Sequence, residues 1–186
     1  SLRASVIKSL RNLSNDYART LSQIDSQAKV LSETLVKDTK SMFILGKGCD
    51  KYIADESALK IKEISYIHTE SYSASSLKHG PFALLDAHFP VIIINCEDEH
   101  DDKITSCYQE IKARDSPQIV ITTQKPNTET DANADATRTT MVVPKNKHYG
   151  SLLALIPLQL MSYYLSINKG INPDTPKNLA KVVTVD

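Results

Sequence analysis

Four short apolar runs, separated by segments with helical periodicity, constrain the fold of this chain more than any other feature. The runs cover residues 42–45, 91–94, 119–121 and 141–143. Consecutive apolar residues over so short a length are typical of strands buried on both faces of a sheet. Helical patterns cover residues 50–68 and 101–114, between successive runs. This alternation predicts a three-layer α/β fold, in which helices flank a mostly parallel sheet and the crossovers are right-handed.

The first 40 residues carry a different pattern. Apolar residues recur at steps of three and four from Leu10 to Leu35, which predicts an amphipathic helix in one or two pieces. We therefore assign residues 1–40 to a helical arm and residues 41–186 to the domain that holds the strands. Such an arm can pack on its own domain or pair with a second copy as a coiled coil, and the short seam favours the first.

Two further segments complete the pattern. Residues 149–168 are apolar nearly all round. They contain Pro157 and Gln159 and fall short of the roughly 20 apolar residues of a membrane span, so we expect a buried helix and no membrane span. Residues 123–139 are rich in Thr, Asn, Asp and Ala without periodicity, which predicts a mobile surface loop.

Charge and cysteine content argue against several classes of function. The 22 basic residues equal the 22 acidic ones, so no overall field favours nucleic acid or an anionic membrane. The three cysteines are scattered and form no Cys-x-x-Cys pair, which argues against a disulfide framework and a structural zinc site. We expect a cytoplasmic protein without a metal or organic cofactor. Because the chain begins at Ser1 and not at methionine, we also expect it to be part of a longer polypeptide.

Three charged residues on the helix after the first strand form a candidate site. Glu56, Lys60 and Glu63 are four and three residues apart, which places them on one face of the helix. This spacing is typical of a solvated face with weak ion pairs. It also suits a carboxylate base beside a lysine that favours its ionised form. The residues alone leave both interpretations open.

His79 and Lys181 are candidates that the pattern supports less strongly. His79 precedes Gly80-Pro81, where the chain turns at the surface, so it is either structural or offered to a ligand or a neighbouring chain. Lys181 lies near the C-terminus, and it is either a tail residue or, if buried, a Schiff-base nucleophile.

Three other motifs give weak signals. Gly46-Lys47-Gly48 follows a predicted strand as a phosphate loop does, but it lacks both the third glycine of a dinucleotide fingerprint and the Gly-Lys-Ser/Thr of a nucleotide site. Cys49 would be a nucleophile only with an activating base, which the sequence does not place. The acidic run 97–102 includes His100 and could be a metal site, but it more simply starts a helix.

Four segments together resemble the second sugar-isomerase (SIS) domain of the glucosamine-6-phosphate synthase family, the isomerizing glutamine:fructose-6-phosphate aminotransferases. The segments are Phe43-Ile-Leu-Gly-Lys-Gly, Ala58-Leu-Lys-Ile-Lys-Glu-Ile-Ser-Tyr-Ile-His, Leu77-Lys-His-Gly-Pro and Asn178-Leu-Ala-Lys-Val-Val-Thr-Val. They occur in the family's order and spacing, and other SIS proteins lack the last two. The resemblance implies an SIS fold. It also implies an enzyme that converts fructose 6-phosphate and glutamine to glucosamine 6-phosphate and glutamate, for UDP-N-acetylglucosamine synthesis.

The resemblance also implies roles for individual residues. Glu63 moves a proton between C1 and C2 of the sugar. His79 helps to open the sugar ring and acts across the interface of a homodimer. Lys181 forms an imine with the open-chain ketose. The implied substrate-binding residues are Glu56, Lys60 and Ala180.

The chain departs from the family's pattern in two ways. It contains no glutaminase domain and no first SIS domain, which we expect in a longer natural chain, so it should lack full activity alone. Ser76, Asp55, Ser57 and Lys177 also replace the residues usual in the family. These departures keep two alternatives open, a diverged paralogue that binds sugar phosphate or regulates without catalysis, and a purely structural dimerisation module.

Overall fold

Helices and strands alternate along the chain. The computed structural model describes residues 1–34, 36, 38–124 and 138–179. The strands are β1 Ser41–Gly46, β2 His68–Ser73, β3 Val91–Asn95, β4 Gln118–Thr122 and β5 Arg138–Val142. The helices are α1 Leu2–Thr34, α2 Cys49–Ser65, α3 Asp101–Lys112, α4 Gly150–Leu153 and α5 Leu155–Asn168. Short 3₁₀ helices cover Ala74–His79, Pro81–Leu84 and Asp98–His100.

The five described strands form one parallel sheet in the order β2-β1-β3-β4-β5. Strand β1 pairs with β2, where Ser41 lies opposite His68, and with β3, where Phe43 lies opposite Val91. Strands β3, β4 and β5 continue the sheet in parallel. The predicted α/β class is confirmed. The strand order reverses direction between β1 and β3, and open sheets of this kind bind ligands at the carboxyl ends of the strands at that point.

Alternate residues of the central strands enter two separate cores. Met42 and Ile44 belong to a first core, which also contains Ile61 of α2 and residues of α1 and α5. Phe43 and Leu45 belong to a second core, shared with α3 and the 3₁₀ segment 74–79. Because each face of the sheet buries its own set of side chains, both faces are covered, and the predicted three layers are present.

Helix α1 is continuous and packs on the rest of the chain. Ile24, Ala28 and Leu31 of its C-terminal half are buried in the first core. Its N-terminal half is tied down by polar contacts, one of which joins Ser5 Oγ to His148 Nε2 at 2.9 Å. The helix therefore packs on its own domain, as the short apolar seam predicted. The division of the chain at residue 40 stays a prediction.

The predicted helix, loop and last strand differ in extent from the observed elements, and one observed strand was not predicted. The helix predicted to reach His68 ends at Ser65, because Tyr66 takes a left-handed conformation with φ 57° and breaks the helix. Strand β2 was not predicted, because it lies at the edge of the sheet and has a polar sequence in which Thr69 alone is buried. Most of the predicted surface loop, residues 125–137, lies outside the described residues, and β5 already begins at Arg138.

Within the described part of the chain, one helical stretch could cross a membrane by length and composition. It is Gly150–Asn168, and 56% of it is buried inside the protein. Core helices of soluble proteins pass the same test, and Met161 and Leu165 of this stretch are fully buried in the first core. The stretch is the buried helix that the sequence predicted, interrupted at Ala154.

Candidate functional site

The three charged residues of α2 lie together on one face of the helix. Lys60 Nζ donates a hydrogen bond to Glu63 Oε2 at 2.7 Å and lies 3.8 Å from Glu56 Oε1. The hydrogen bond to Glu63 is the main cause that raises the pKa of Lys60. The opposite face of α2 carries Ala54 and Ile61 into the first core. The result is a protonated lysine between two carboxylates on the outer surface of a helix that packing holds in place.

Glu63 is the member of this group that faces a cleft. Its side chain is 24% exposed, against 49% for Glu56. Glu63 and Ile64 line one side of an open cleft of about 550 Å³, and the C-terminal segment lines the other. The residues from that segment are Pro173, Asp174, Thr175, Pro176 and Leu179. The volume lies in the range of about 300–1,000 Å³ that small-molecule sites occupy.

Two of the predicted site residues come directly after the last residue that lines this cleft. Ala180 and Lys181 lie outside the described residues, so the structure does not place them. Leu179, the last described residue, lines the cleft with Glu63. The chain therefore brings its C-terminal segment to the carboxylate that the sequence singled out.

His79 does not join the α2 group within one chain. It is exposed at the end of a 3₁₀ helix that packs through Leu77 into the second core. Helix α2 packs into the first core, on the other face of the sheet. The sheet therefore stands between the 3₁₀ helix of His79 and the helix of Glu63.

The glycine-rich loop after β1 does not offer a free phosphate site. Gly46 permits a close approach, because a Cβ there would lie 2.4 Å from the backbone of Asp50. The Cys49 N–H, at the N-terminus of α2, donates to Glu97 Oε2 at 2.8 Å. A Cβ on Gly48 would lie 2.2 Å from the same oxygen. A carboxylate of the protein thus occupies the position where a phosphate would meet the helix N-terminus.

The same carboxylate makes Cys49 a poor nucleophile. Its hydrogen bond with Glu97, followed by the charge of Glu97, raises the pKa of the Cys49 thiol. A nearby negative charge disfavours the thiolate, which is the reactive form. The structure thus argues against the nucleophile interpretation.

The acidic run after β3 starts a helix, as the simpler interpretation predicted. Asp101 and Asp102 lie in the first turn of α3, where negative charge opposes the helix dipole favourably. Within the described residues, no group of three or more His, Cys, Asp and Glu side chains could hold a metal ion.

Two polar residues with structural consequences escaped the sequence analysis. Asn146 is 8% exposed and links the chain before α4 to α1. Tyr66 contacts the C-terminal segment through its hydroxyl group. The sequence pattern contains no signal for either residue, because glycine usually marks a left-handed position such as that of Tyr66 and the partners of Asn146 lie far away in the sequence.

Comparisons with known proteins place the chain in a family. The SIS domain model matches residues 35–169. The glutamine–fructose-6-phosphate aminotransferase (isomerizing) of Sulfolobus acidocaldarius is 37% identical over 100% of this chain, and that of Saccharomyces cerevisiae is 38% identical over 99%. The chain spans only 30% and 26% of the length of these two relatives.

A solved structure shows the same fold. The C-terminal domain of glucosamine-fructose-6-phosphate aminotransferase from Francisella tularensis matches with a TM-score of 0.77 and 32% sequence identity. The match covers 89% of this chain and 46% of that one. The predicted resemblance is confirmed in sequence and in structure. Since the domain model covers most of the chain and the relatives align over nearly all of it, the protein belongs to the SIS domain family.

Proposed function

We propose that the chain is the isomerase domain of an enzyme that converts fructose 6-phosphate and glutamine to glucosamine 6-phosphate and glutamate. The names of relatives with 37% and 38% identity support this activity. Because the chain spans 30% or less of their length, the proposal includes a longer natural chain with a glutaminase domain and a first SIS domain. It also includes a cytoplasmic location for hexosamine synthesis, which the free thiols of all three cysteines support.

One observation carries the proposal. Glu63 is hydrogen-bonded to Lys60 and faces a cleft whose other wall is the C-terminal segment ending at Leu179. Lys181 follows two residues later in the sequence. The arrangement supports a carboxylate base, a charged lysine that can meet a sugar oxygen, and an amine supplied by the tail.

These groups suit the chemistry of a ketose. In the proposed reaction, Lys181 forms an imine at C2 of the open-chain sugar with loss of water, which makes the C1 protons acidic. Ammonia derived from glutamine replaces the lysine at C2. The Glu63 carboxylate takes a proton from C1 and returns it to C2, while the proton of the C1 hydroxyl group passes to the imine nitrogen, so that C1 becomes an aldehyde and C2 carries the amine. Glu56, Lys60 and Ala180 contact the sugar in this scheme.

The proposal also includes a homodimer. His79 is exposed on a segment that packs on one face of the sheet, while α2 packs on the other. His79 can therefore open the ring of a sugar bound at Glu63 most simply if a second copy supplies it. No nucleic acid or membrane has a role in this scheme.

The test is the Glu63→Gln variant of the full-length protein, with Glu33→Gln as a matched control because Glu33 is exposed on α1. Loss of a general base lowers turnover by about 10²–10⁴-fold. Sugar-phosphate binding should be kept, and at about a hundred times its dissociation constant the ligand stabilises by about 2.7 kcal/mol. Thermal shift with fructose 6-phosphate and glucosamine 6-phosphate, followed by a glucosamine 6-phosphate assay, measures both quantities.

The outcomes separate the alternatives. Normal turnover in Glu63→Gln would remove Glu63 from the mechanism. Stabilisation of the unmodified protein without turnover would favour a regulatory or sugar-phosphate-binding domain. No stabilisation by either sugar would leave a structural dimerisation module.

A further inference from the structure

Tyr66 holds an unusual backbone position at the end of α2. Its φ of 57° and ψ of 20° are left-handed, and its N–H donates to the carbonyl of Lys62 at the helix terminus. For a residue other than glycine, the left-handed conformation costs roughly 1–2 kcal/mol. Glycine is the usual residue at this position because it avoids that cost. A tyrosine here is therefore explained best by what its side chain does.

The side chain of Tyr66 binds the C-terminal segment in two ways. The Lys177 N–H donates to the Tyr66 hydroxyl oxygen at 2.7 Å. The Lys177 Nζ also lies 4.7 Å from the centre of the Tyr66 ring, within the range of a cation–π contact. One aromatic side chain thus contacts both the backbone and the charged end of a residue that lies more than a hundred positions away in the sequence.

The segment that Tyr66 binds follows Ile171, which is bonded to Ser166 of α5, and is shaped further by its own contacts. Asn172 accepts hydrogen bonds from the N–H groups of Asp174 and Thr175, which closes a turn. Pro173 and Pro176 restrict the backbone further. The bonds at Ile171 attach the start of the segment to α5, whereas the bond to Tyr66 joins its later part, at Lys177, to the end of the helix that carries Glu63.

We infer that Tyr66 is a positioning residue, which holds residues 173–179 as the second wall of the Glu63 cleft. The inference rests on the proposed function for its catalytic consequence, because the segment leads to Lys181. Its structural part, that the hydroxyl group orders the segment, stands independently. Tyr66 itself touches no reacting atom in this scheme. It acts through the segment, because a displacement of catalytic groups by about 1 Å can lower the rate of the chemical step strongly.

The test is Tyr66→Phe in the full-length protein, which removes the hydroxyl group and keeps the ring under the Lys177 ammonium. Hydrogen exchange followed by mass spectrometry should show residues 172–179 exchanging about fivefold faster, since a single hydrogen bond contributes about that factor. The kcat for glucosamine 6-phosphate formation should fall by a similar factor, while KM for fructose 6-phosphate changes less than twofold. Tyr17→Phe is the matched control, because Tyr17 is 46% exposed on α1.

The two measurements keep the inference distinct from the proposed function. Faster exchange with lower kcat and constant KM supports the positioning role. If the unmodified full-length protein makes no glucosamine 6-phosphate, the proposed function is refuted, and faster exchange in Tyr66→Phe still supports the ordering of the segment by Tyr66. Unchanged exchange in Tyr66→Phe overturns the inference, whatever the activity. Faster exchange with unchanged kcat in an active enzyme overturns the positioning role.

Discussion

The Asn146→Ala substitution should destabilise the chain more than any change at an exposed polar residue. Asn146 Nδ2 donates to the Ser9 carbonyl at 3.0 Å and to Asp16 Oδ2 at 3.1 Å. Its Oδ1 accepts from the Tyr149 N–H at 3.2 Å and, more weakly, from the His148 N–H at 3.4 Å. One side chain therefore ties the N-terminal half of α1 to the chain that leads into α4.

The expected magnitude follows from counting these contacts. Three of the four hydrogen bonds have good lengths, and each contributes about 1 kcal/mol net. Ser9 is buried and Asp16, His148 and Tyr149 are partly buried, so water replaces the lost bonds only in part, and the free energy of unfolding should fall by about 3 kcal/mol. For a chain of this size, that corresponds to a drop in Tm of about 6–12 °C. Urea titration followed by circular dichroism measures the free energy, and a thermal scan measures Tm.

Two further variants sharpen the test. Asn146→Asp keeps the accepting oxygen but replaces Nδ2, which lies 3.1 Å from Asp16 Oδ2, by a second carboxylate oxygen. The two carboxylates would repel each other, so this variant should destabilise the chain at neutral pH at least as much as Asn146→Ala. Asn15→Ala, at an exposed position on α1, should change stability by no more than about 0.5 kcal/mol. A loss below about 1 kcal/mol for Asn146→Ala, or a milder effect for Asn146→Asp, would refute the reasoning.

Two other predictions test the loop after β1. Because Glu97 raises the pKa of the Cys49 thiol, Glu97→Gln should lower that pKa. Alkylation of Cys49 by iodoacetamide at pH 8, followed by mass spectrometry, should then be about two- to tenfold faster. An unchanged alkylation rate would contradict this prediction. Gly46→Ala should cost about 2–3 kcal/mol in urea unfolding, since its Cβ would meet the Asp50 backbone at 2.4 Å. Gly170→Ala, where φ is 67° but no atom lies within 4 Å, should cost only about 1–2 kcal/mol, and equal costs would contradict the steric explanation.

The sequence predicted β1, β3 and β4 because these central strands are buried on both faces. It predicted β5 from the apolar residues at the end of that strand, although Met141 alone is buried there. A strand that is buried on both faces consists of consecutive apolar residues, such as Val91 to Ile94. This pattern is visible in the sequence of the strand itself, without information on the strands beside it. Strand β2 was not predicted because an edge strand can keep polar residues. Its pairing with β1 joins residues that are far apart in the sequence, which a local pattern does not indicate. The early end of α2 escaped because Tyr66 takes a conformation that usually signals itself through glycine.

The candidate site divides in the same way between local and long-range information. The grouping of Glu56, Lys60 and Glu63 follows from helix geometry alone, so their spacing was enough to predict that they lie together. The cleft between Glu63 and the C-terminal segment depends on how the chain end returns to α2, and no pattern in the sequence encodes that return. The roles of Glu63, His79 and Lys181 come from the resemblance and stay predictions.

At the carboxyl edge of the sheet, the loop after β1 is poorly suited to binding a phosphate. Asp50 Oδ2 accepts the Cys96 N–H at 2.8 Å, and Glu97 Oε2 accepts the Cys49 N–H at the same distance. Two backbone donors near the N-terminus of α2 are therefore already paired with carboxylates. A phosphate would have to displace Glu97 and then lie near a second acidic side chain, which like-charge repulsion opposes. Glu56, Lys60 and Glu63 of α2 supply acid–base groups instead, so in the proposed enzyme we expect the sugar phosphate to lie away from the loop after β1.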